Sequence, residues 1–384
     1  MHVRKSIRLL AVCFLPVLPL VLGGCWSQIN LDQLTVVSAI GLDAAEDDRV
    51  EVTVQLVNPT LPVAAGGGQQ RKPFAIYSSK GLTIEDALKQ IKQQAKKSVF
   101  LPQTRVVLIG EAMARRGLDG IMDFFWREPT HNMNSWVLIS KTPARKALES
   151  SFELEAVPAD EWKEYLNSKE RRPSIEADML YQFLPRLQQD GFHASAAGMF
   201  PVSGARGKQI MKIGNTAVFK REKMVGWLTL EESQTTNWLT RDSRKGSMRV
   251  DLPEQGEINF DLRNIRVRID PAFRQDRASM KIRVQGDAEI VTTTALLNVA
   301  DPKTVAMLEQ RLNERIRASI EETIAKVCGT YKTDVFGFGE SIHRKFPQKW
   351  KSLKKQWDEE VDKLDAQVSV SMNVFKSGML RDGI

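Results

Sequence analysis

The sequence predicts an α+β protein of more than one domain, with mixed and antiparallel sheets each flanked by helices. Three observations carry that expectation. Short apolar or alternating runs recur along the chain, separated first by single helical patterns and later by one long helix between strands. About 360 residues follow Gly24, more than one comfortable core holds. The composition is that of an ordinary folded protein, 42% hydrophobic and 27% charged.

The first segment stands apart. Arg4, Lys5 and Arg8 precede an uncharged apolar run from Leu9 to Leu22, and Gly23-Gly24-Cys25 follow. A basic start, a short apolar stretch and small residues at a cut site mark a secretory signal. Spanning a bilayer takes roughly 20 apolar residues, and this run is shorter and broken by Pro16 and Pro19. Leu22-Gly23-Gly24-Cys25 matches the bacterial lipobox. Cleavage is therefore expected between Gly24 and Cys25, with Cys25 carrying S-diacylglycerol and N-palmitoyl groups. At about 0.8 kcal/mol per buried CH₂, more than one chain gives a firm membrane anchor. Cys13 leaves with the signal and the lipid occupies Cys25, so Cys328 stands alone and no intrachain disulfide is expected.

The remaining elements follow in order. Leu34 to Ile40 is an apolar strand expected to turn at Gly41-Leu42-Asp43. After the acidic turn Glu46-Asp47-Asp48, Val50, Val52, Val54 and Leu56 alternate with Glu51, Thr53 and Gln55, the partner of a hairpin. Residues 58–73, with Gly66-Gly67-Gly68, read as an exposed loop. Thr83-Ile84-Glu85-Asp86 opens a helix with a capping-box pattern, its stripe being Ile84, Leu88, Ile91 and Ala95. A strand over 105–109 leads into helices over 112–116 and 118–126, a strand over 136–140 and a helix begun by Pro143. The charged stretch 159–172 reads as a surface helix, and 175–189 as an amphipathic helix that Pro185 should kink.

Near Pro201–Lys208 the sequence turns Gly-rich and basic, and a boundary is placed there. The expected division is 1–24 signal, 25–200 an N-terminal region of two α+β subdomains, and 201–384 a C-terminal α+β domain. In that last domain, 216–219 and 224–228 form a hairpin, and 262–269 pairs with 280–291. Asp301 caps a long helix over 302–328, Pro302 takes its first position and Gly329 ends it. Leu308, Leu312, Ile316, Ile320 and Ile324 give that helix its stripe, and a strand over 368–374 follows. His343 to Leu364 reads as a basic amphipathic helix whose Phe346, Trp350, Leu353, Val361 and Leu364 pack on their own domain.

Chemistry is sparse. His131, His193 and His343 sit at no metal-ligand spacing and read as surface or satisfied histidines. Phosphate-loop, nucleophile-elbow and zinc-helix motifs are missing. Gly337-Phe338-Gly339 lacks a dinucleotide loop's context and reads as a bend, and Cys328 as a buried structural thiol. No catalytic residue, metal or cofactor is expected. The formal charge of +8 falls to +5 once the three signal cations are set aside, and the excess is spread along the chain. It suits a body beside an anionic membrane and not a nucleic-acid partner.

Four blocks, taken together, resemble a known family. Cys25-Trp26, Leu31-Asp32-Gln33-Leu34 and Val37-Ser38-Ala39-Ile40-Gly41-Leu42-Asp43 are similar to the mature start of the Ger(x)C spore-germination lipoproteins. Val106-Val107-Leu108-Ile109-Gly110-Glu111 through Leu118 resembles a second block, and Asn215 to Lys220 with Val225-Gly226-Trp227-Leu228 a third. Tyr331 to Glu340, continuing to Trp350, resembles a fourth. Ser27 stands where the family commonly has Asp. The resemblance implies three α+β domains and a C subunit of a nutrient germinant receptor. Such a subunit sits on the outer face of the spore inner membrane beside two integral-membrane subunits, A and B. Two other readings share the anchor or the compartment. A lipid-anchored solute-binding protein of a transporter requires a deep cleft between two lobes. A cell-wall hydrolase requires a paired acid and base or a metal site, which the sequence does not display.

Overall fold

The computed structural model describes residues 33–57, 74–95, 97–127, 131–150, 157–168, 175, 177–204, 209–240, 243–253, 256–275, 277–295, 297–298 and 301–375. The signal, Gly24, Cys25 and the expected loop over 58–73 lie outside them. The described strands form two sheets.

The first sheet has nine strands. β1 (Leu34–Ala44) and β2 (Val50–Val57) make the expected hairpin, and β3 (Phe74–Gly81) extends it antiparallel. β1 runs straight through Gly41–Asp43 without turning; the reversal is made by Asp47 and Asp48, both at φ 54. Helix α1 (Ile84–Gln94) follows, its Asp86 N–H donating to the Thr83 hydroxyl at 3.2 Å. Short β4 (Ser98–Phe100) lies parallel beside β1, and β5 (Val106–Gly110) also pairs β1 in parallel. Helices α2 (Glu111–Arg116) and α3 (Asp119–Arg127) lead to β6 (Trp136–Ser140), α4 (Ala144–Glu149), α5 (Pro158–Asn167) and α6 (Leu180–Gln188). β7 (Ser195–Ser203) pairs β6 in parallel, and the hairpin β8 (Gln209–Lys220) and β9 (Lys223–Leu228) completes the order β3-β2-β1-β5-β6-β7-β8-β9.

Both faces of its centre are buried, so the strands read as unbroken apolar runs. Val107 and Ile109 of β5 enter one core with α1, α2, α3 and α6, whereas Val106 and Leu108 enter another with α4 and α5. The stretch expected to be a surface helix is α5, which buries Ala159, Trp162 and Leu166 in that second core. Of the residues expected to begin α6, Met179 is extended and bridges Trp136, and the helix starts only at Leu180.

The second sheet has the order β10-β11-β12-β13. β10 (Gly246–Leu252), β11 (Gly256–Arg274) and β12 (Arg277–Thr293) are antiparallel, while β13 (Asp365–Phe375) returns parallel to β12. Between β12 and β13 runs α8 (Pro302–Ile324), capped by Asp301. Leu308, Leu312, Ile316, Ile320 and Ile324 are all buried, so the four-residue stripe covers one face of the sheet. Gly329 does not end the helix in a left-handed cap: α8 widens into a π-helical turn, Ala325–Thr330. α8 also shields the β13 edge, its Asn313 and Glu309 side chains accepting from Met372 N–H at 2.9 Å and Val374 N–H at 3.0 Å. Such shielding is one way to keep an edge from pairing with another chain.

The boundary placed near residue 201 falls inside β7, and β8 and β9 belong to the first sheet. The three α+β domains implied by the resemblance are carried on two sheets. Helix α7 (Leu230–Thr240) connects them, packing against β8, β9, β11 and α8. The single basic helix expected over 343–364 is a series of short pieces: α9 (Phe338–Lys345), α10 (Pro347–Leu353) and α11 (Trp357–Glu360), with 3₁₀ turns between and after. Of the residues expected to pack on their own domain, Trp350 and Val361 are buried and Phe346, Leu353 and Leu364 are half-buried against the same core, which also buries Trp357.

Truncating Ile316→Ala in the middle of the α8 stripe should cost about 2–5 kcal/mol in a denaturant titration. The exposed Glu321→Ala should stay within about 0.5 kcal/mol.

Candidate functional site

The two sheets meet at a polar node that is almost entirely buried. Its centre is Asp334, fully buried. Oδ1 accepts from the backbone N–H groups of Phe336 (3.1 Å), Gly337 (2.9 Å) and Phe338 (3.1 Å). Oδ2 accepts from Gly339 N–H (2.8 Å) and from Trp357 Nε1 (3.0 Å). The backbone curls around the carboxylate because Gly337 takes φ 74, a left-handed value glycine adopts freely. Gly337-Phe338-Gly339 is therefore the wall of a carboxylate cradle and not merely a bend.

The first sheet reaches the cradle through the segment before β7. His193 N–H donates to Asp334 O at 2.7 Å, and Glu340 N–H to Gly191 O at 3.1 Å. Packing there is at its closest limit: a Cβ on Gly339 would lie 2.5 Å from Gly191 Cα and 2.7 Å from the Trp350 ring. His193 Nδ1 is 2.7 Å from the Thr333 hydroxyl, which itself donates to Phe219 O at 2.7 Å. His193 Nε2 lies 3.4 Å from Asp358 Oδ1. Asp358 in turn holds Arg221 of the β8–β9 turn at 3.1 Å, and Arg221 reaches Asp190 at 3.4 Å.

A hydroxyl, an imidazole and a carboxylate in line invite comparison with a nucleophilic triad. The geometry does not serve one. Thr333 is fully buried and spends its proton on a backbone carbonyl, so no substrate reaches its oxygen. Cys328 is no better placed: burial, with the Asp334 charge added, pushes its thiol well above the usual range. Burial likewise holds His193 down at about 4, against the attraction of Asp358, so it is neutral at pH 7. Burial raises Asp334 to about 6, opposed by the hydrogen bonds from Gly339, Phe338, Trp357 and Gly337, and it is ionised at pH 7.

The other expected site residues are dispersed. Gly24 and Cys25 lie outside the described residues. His131 is buried against Phe124 and Phe125, whereas His343 is exposed and stacks on Trp350. No group of acidic, histidine and cysteine residues that could hold a metal occurs among the described residues. Two open hollows of about 350 Å³ each lie at the carboxyl ends of the parallel strands, one lined by Val50, Leu82, Ile84, Met113 and Ile121. Neither lies between the sheets.

A family model described as the spore germination protein N-terminal domain matches residues 27–199. Another, described as spore germination B3/GerAC like, C-terminal, matches residues 214–378. The chain belongs to the Ger(x)C family. Among its relatives is spore germination protein KC of Bacillus subtilis (strain 168), 25% identical, with 97% of each chain covered. Spore germination protein GerQC of Bacillus cereus is 22% identical, over 94% of this chain and 97% of the relative. The crystal structure of the GerBC protein shares the fold at a TM-score of 0.56 and 18% identity, over 88% of this chain and 96% of that one.

The blocks that carry the Ger(x)C resemblance meet in pairs. Asp43 of the first block caps α4, accepting from Ala144 N–H (2.7 Å) and Arg145 N–H (2.9 Å). It fits only because Gly110 of the second block has no side chain: a Cβ there would lie 2.1 Å from Asp43 Oδ1. Tyr331 of the fourth block donates to Trp227 O at 3.0 Å, its ring lying on Gly226 of the third.

The two node titrations oppose each other. Between pH 4 and 6 the folded node keeps one proton, on Asp334; the unfolded chain also keeps one, on His193, from ordinary values of 3.8 and 6.5. Removing one partner exposes the other. His193→Gln should make the protein more stable as pH falls from 6 to 4, since the folded state then holds the extra proton. Asp334→Asn should make it less stable as pH falls from 6.5 to 4. Each slope amounts to about 3 kcal/mol across its window, read from denaturant midpoints against the parent protein.

Proposed function

We propose that this chain is the lipid-anchored, non-catalytic subunit of a spore germinant receptor, held by Cys25 and acting with two integral-membrane subunits, A and B, in nutrient-triggered germination. The observation that carries the reading is that two germination-family models match in order and leave little of the chain uncovered. The relatives named as spore germination proteins also align along nearly their whole length. No described helix is long and apolar enough to cross a membrane. The lipobox at Leu22–Cys25 supplies a tether that such a chain can use on the outer face of the spore inner membrane.

The node supports a scaffolding role. The oxygens of Asp334 and the hydroxyl of Thr333 are consumed in holding the backbone at the join of the sheets, so these buried groups hold a shape. A solute-binding protein would place its ligand between two lobes, and here that space is filled by the node and by α7.

Deleting the gene should leave spore formation intact and abolish the germination response to particular nutrients; normal germination with every nutrient tested would rule the reading out. Cys25→Ala should release a folded protein from the spore membrane fraction and impair germination. Unchanged fractionation with a normal response would remove the tether from the account.

A further inference from the structure

The parallel strands β1, β5, β6 and β7 all begin at one edge of the first sheet, and the chain arrives from Cys25 at that edge. Leu34 follows Cys25 by nine residues, a spacer that reaches at most about 30 Å. β1 overhangs β5 there, because Ala39 and not Leu34 is level with Val106. Five residues of overhang amount to about 16 Å, less than the spacer's reach, so the tether permits this edge to lie against the surface that holds the lipid.

Two large aromatic side chains stand exposed on the same edge. Trp126, in the last turn of α3, is 48% exposed, and Tyr181, at the start of α6, is 51% exposed. Hydrogen bonds fix their position. Asn132 and Ser135, which precede β6, donate to the carbonyl of Thr104, which precedes β5, at 2.9 and 2.7 Å. Tyr181 N–H donates to Met133 O at 3.1 Å, and the His131 ring lies 4.3 Å from that of Phe124 and 5.1 Å from that of Phe125, the residue before Trp126. α3 and α6 bury their apolar stripes in the same core, so both helices lie on one face of the sheet. Behind them Met133, Leu101 and Val99 are half-buried against that core.

Charge at the edge does not oppose an anionic surface. α6 carries no acidic residue, its Arg186 is paired with the buried Asp178 at 2.7 Å, Asp123 of α3 is paired with Arg127 at 2.6 Å, and Lys92 is exposed in the last turn of α1. A single exposed aromatic needs no explanation. Trp and Tyr together on the edge nearest a lipid-bearing residue do, since their rings favour the level of the headgroups, with an apolar body and a polar tip.

We propose that this edge is a membrane-docking surface, with Trp126 and Tyr181 seated among the headgroups of the leaflet that holds Cys25. The proposal rests on the lipid anchor and adds an orientation to it: the starts of β5 and β6 face the bilayer, beside the start of β7 where the second sheet is joined, and the carboxyl ends with the two hollows face away.

The test uses the full lipidated chain in vesicles of phosphatidylethanolamine and phosphatidylglycerol with brominated acyl chains. An environment-sensitive fluorophore is attached through Tyr181→Cys, which keeps Trp126, and separately through Leu82→Cys at the far edge. Leu82 is 72% exposed, and the buried Cys328 is shielded from labelling. The label at position 181 should shift to the blue and lose emission to bromine, and the one at 82 should do neither; adding Trp126→Ala should weaken the response at 181. A chain that floats with the vesicles while both labels stay equally wet overturns the docking edge and leaves the anchor standing. A chain that does not float overturns both.

Discussion

An unpaired carboxylate inside a protein is among the most costly groups to bury, and this fold places one where its two sheets meet. Among the described residues Asp334 has no cation against it; it has five N–H donors. An anion removed from water is tolerated only when its lone pairs are filled by fixed donors. Four of the donors come from the four residues Phe336–Gly339, which is possible only if the backbone turns tightly about the side chain. That turn needs the left-handed Gly337, and the fifth donor needs Trp357 to arrive from α11. The Asp334 carbonyl then receives His193 from the first sheet, so the geometry that satisfies the anion also fixes the angle at which the sheets join.

Much of this architecture was legible because its elements bury one face and expose the other. The α8 stripe, the β1–β2 hairpin and the β11–β12 pair have apolar positions at the spacing their conformation requires, and period alone finds them. α7 was not legible for the opposite reason. It buries Ser233, Gln234, Thr235 and Thr236 beside Trp238, so burial there leaves no apolar period. Polar partners replace it: Thr235 meets Ser319 at 3.0 Å, and Gln234 exchanges two hydrogen bonds with the backbone of Ser247 in β10. One local signal was available. Thr229 and Glu232 form a reciprocal capping box, and a T-x-x-E pattern announces a helix start even without a stripe. In the same way Pro347 announces the break that divides α9 from α10, because the residue before a proline is pushed out of helical geometry.

The node itself could not be read from spacing. Glycines at 337 and 339 are visible in a sequence; that one admits a left-handed turn and the other the close approach of Gly191 is visible only in space. The same holds for Asp43 and Gly110, or Gly226 and Tyr331, each pair far apart in sequence and meeting within van der Waals limits. These are contacts for which a missing Cβ is the whole requirement. They explain in physical terms why the blocks that resemble the Ger(x)C family are short, glycine-bearing and widely separated along the chain.

A tethered protein has a different surface requirement from a freely diffusing one. Once a lipid confines it to a membrane, contacts with neighbours there become effectively intramolecular, and the local concentration replaces much of the affinity a large apolar patch would supply. The described surface fits that regime. Its large exposed apolar side chains are few: Leu82 and Leu230 lie on separate elements, Val291 and Phe375 on the paired strands β12 and β13 of the second sheet, and Trp126 and Tyr181 on helices of the first. The uncovered face of the second sheet is instead polar, with Arg266, Arg268, Lys281 and Arg283 exposed along β11 and β12. On the proposed reading, orientation and proximity come from the anchor and the aromatic edge. The node then matters because it keeps the second sheet at a fixed angle to the first, so that orienting one sheet on the membrane orients both.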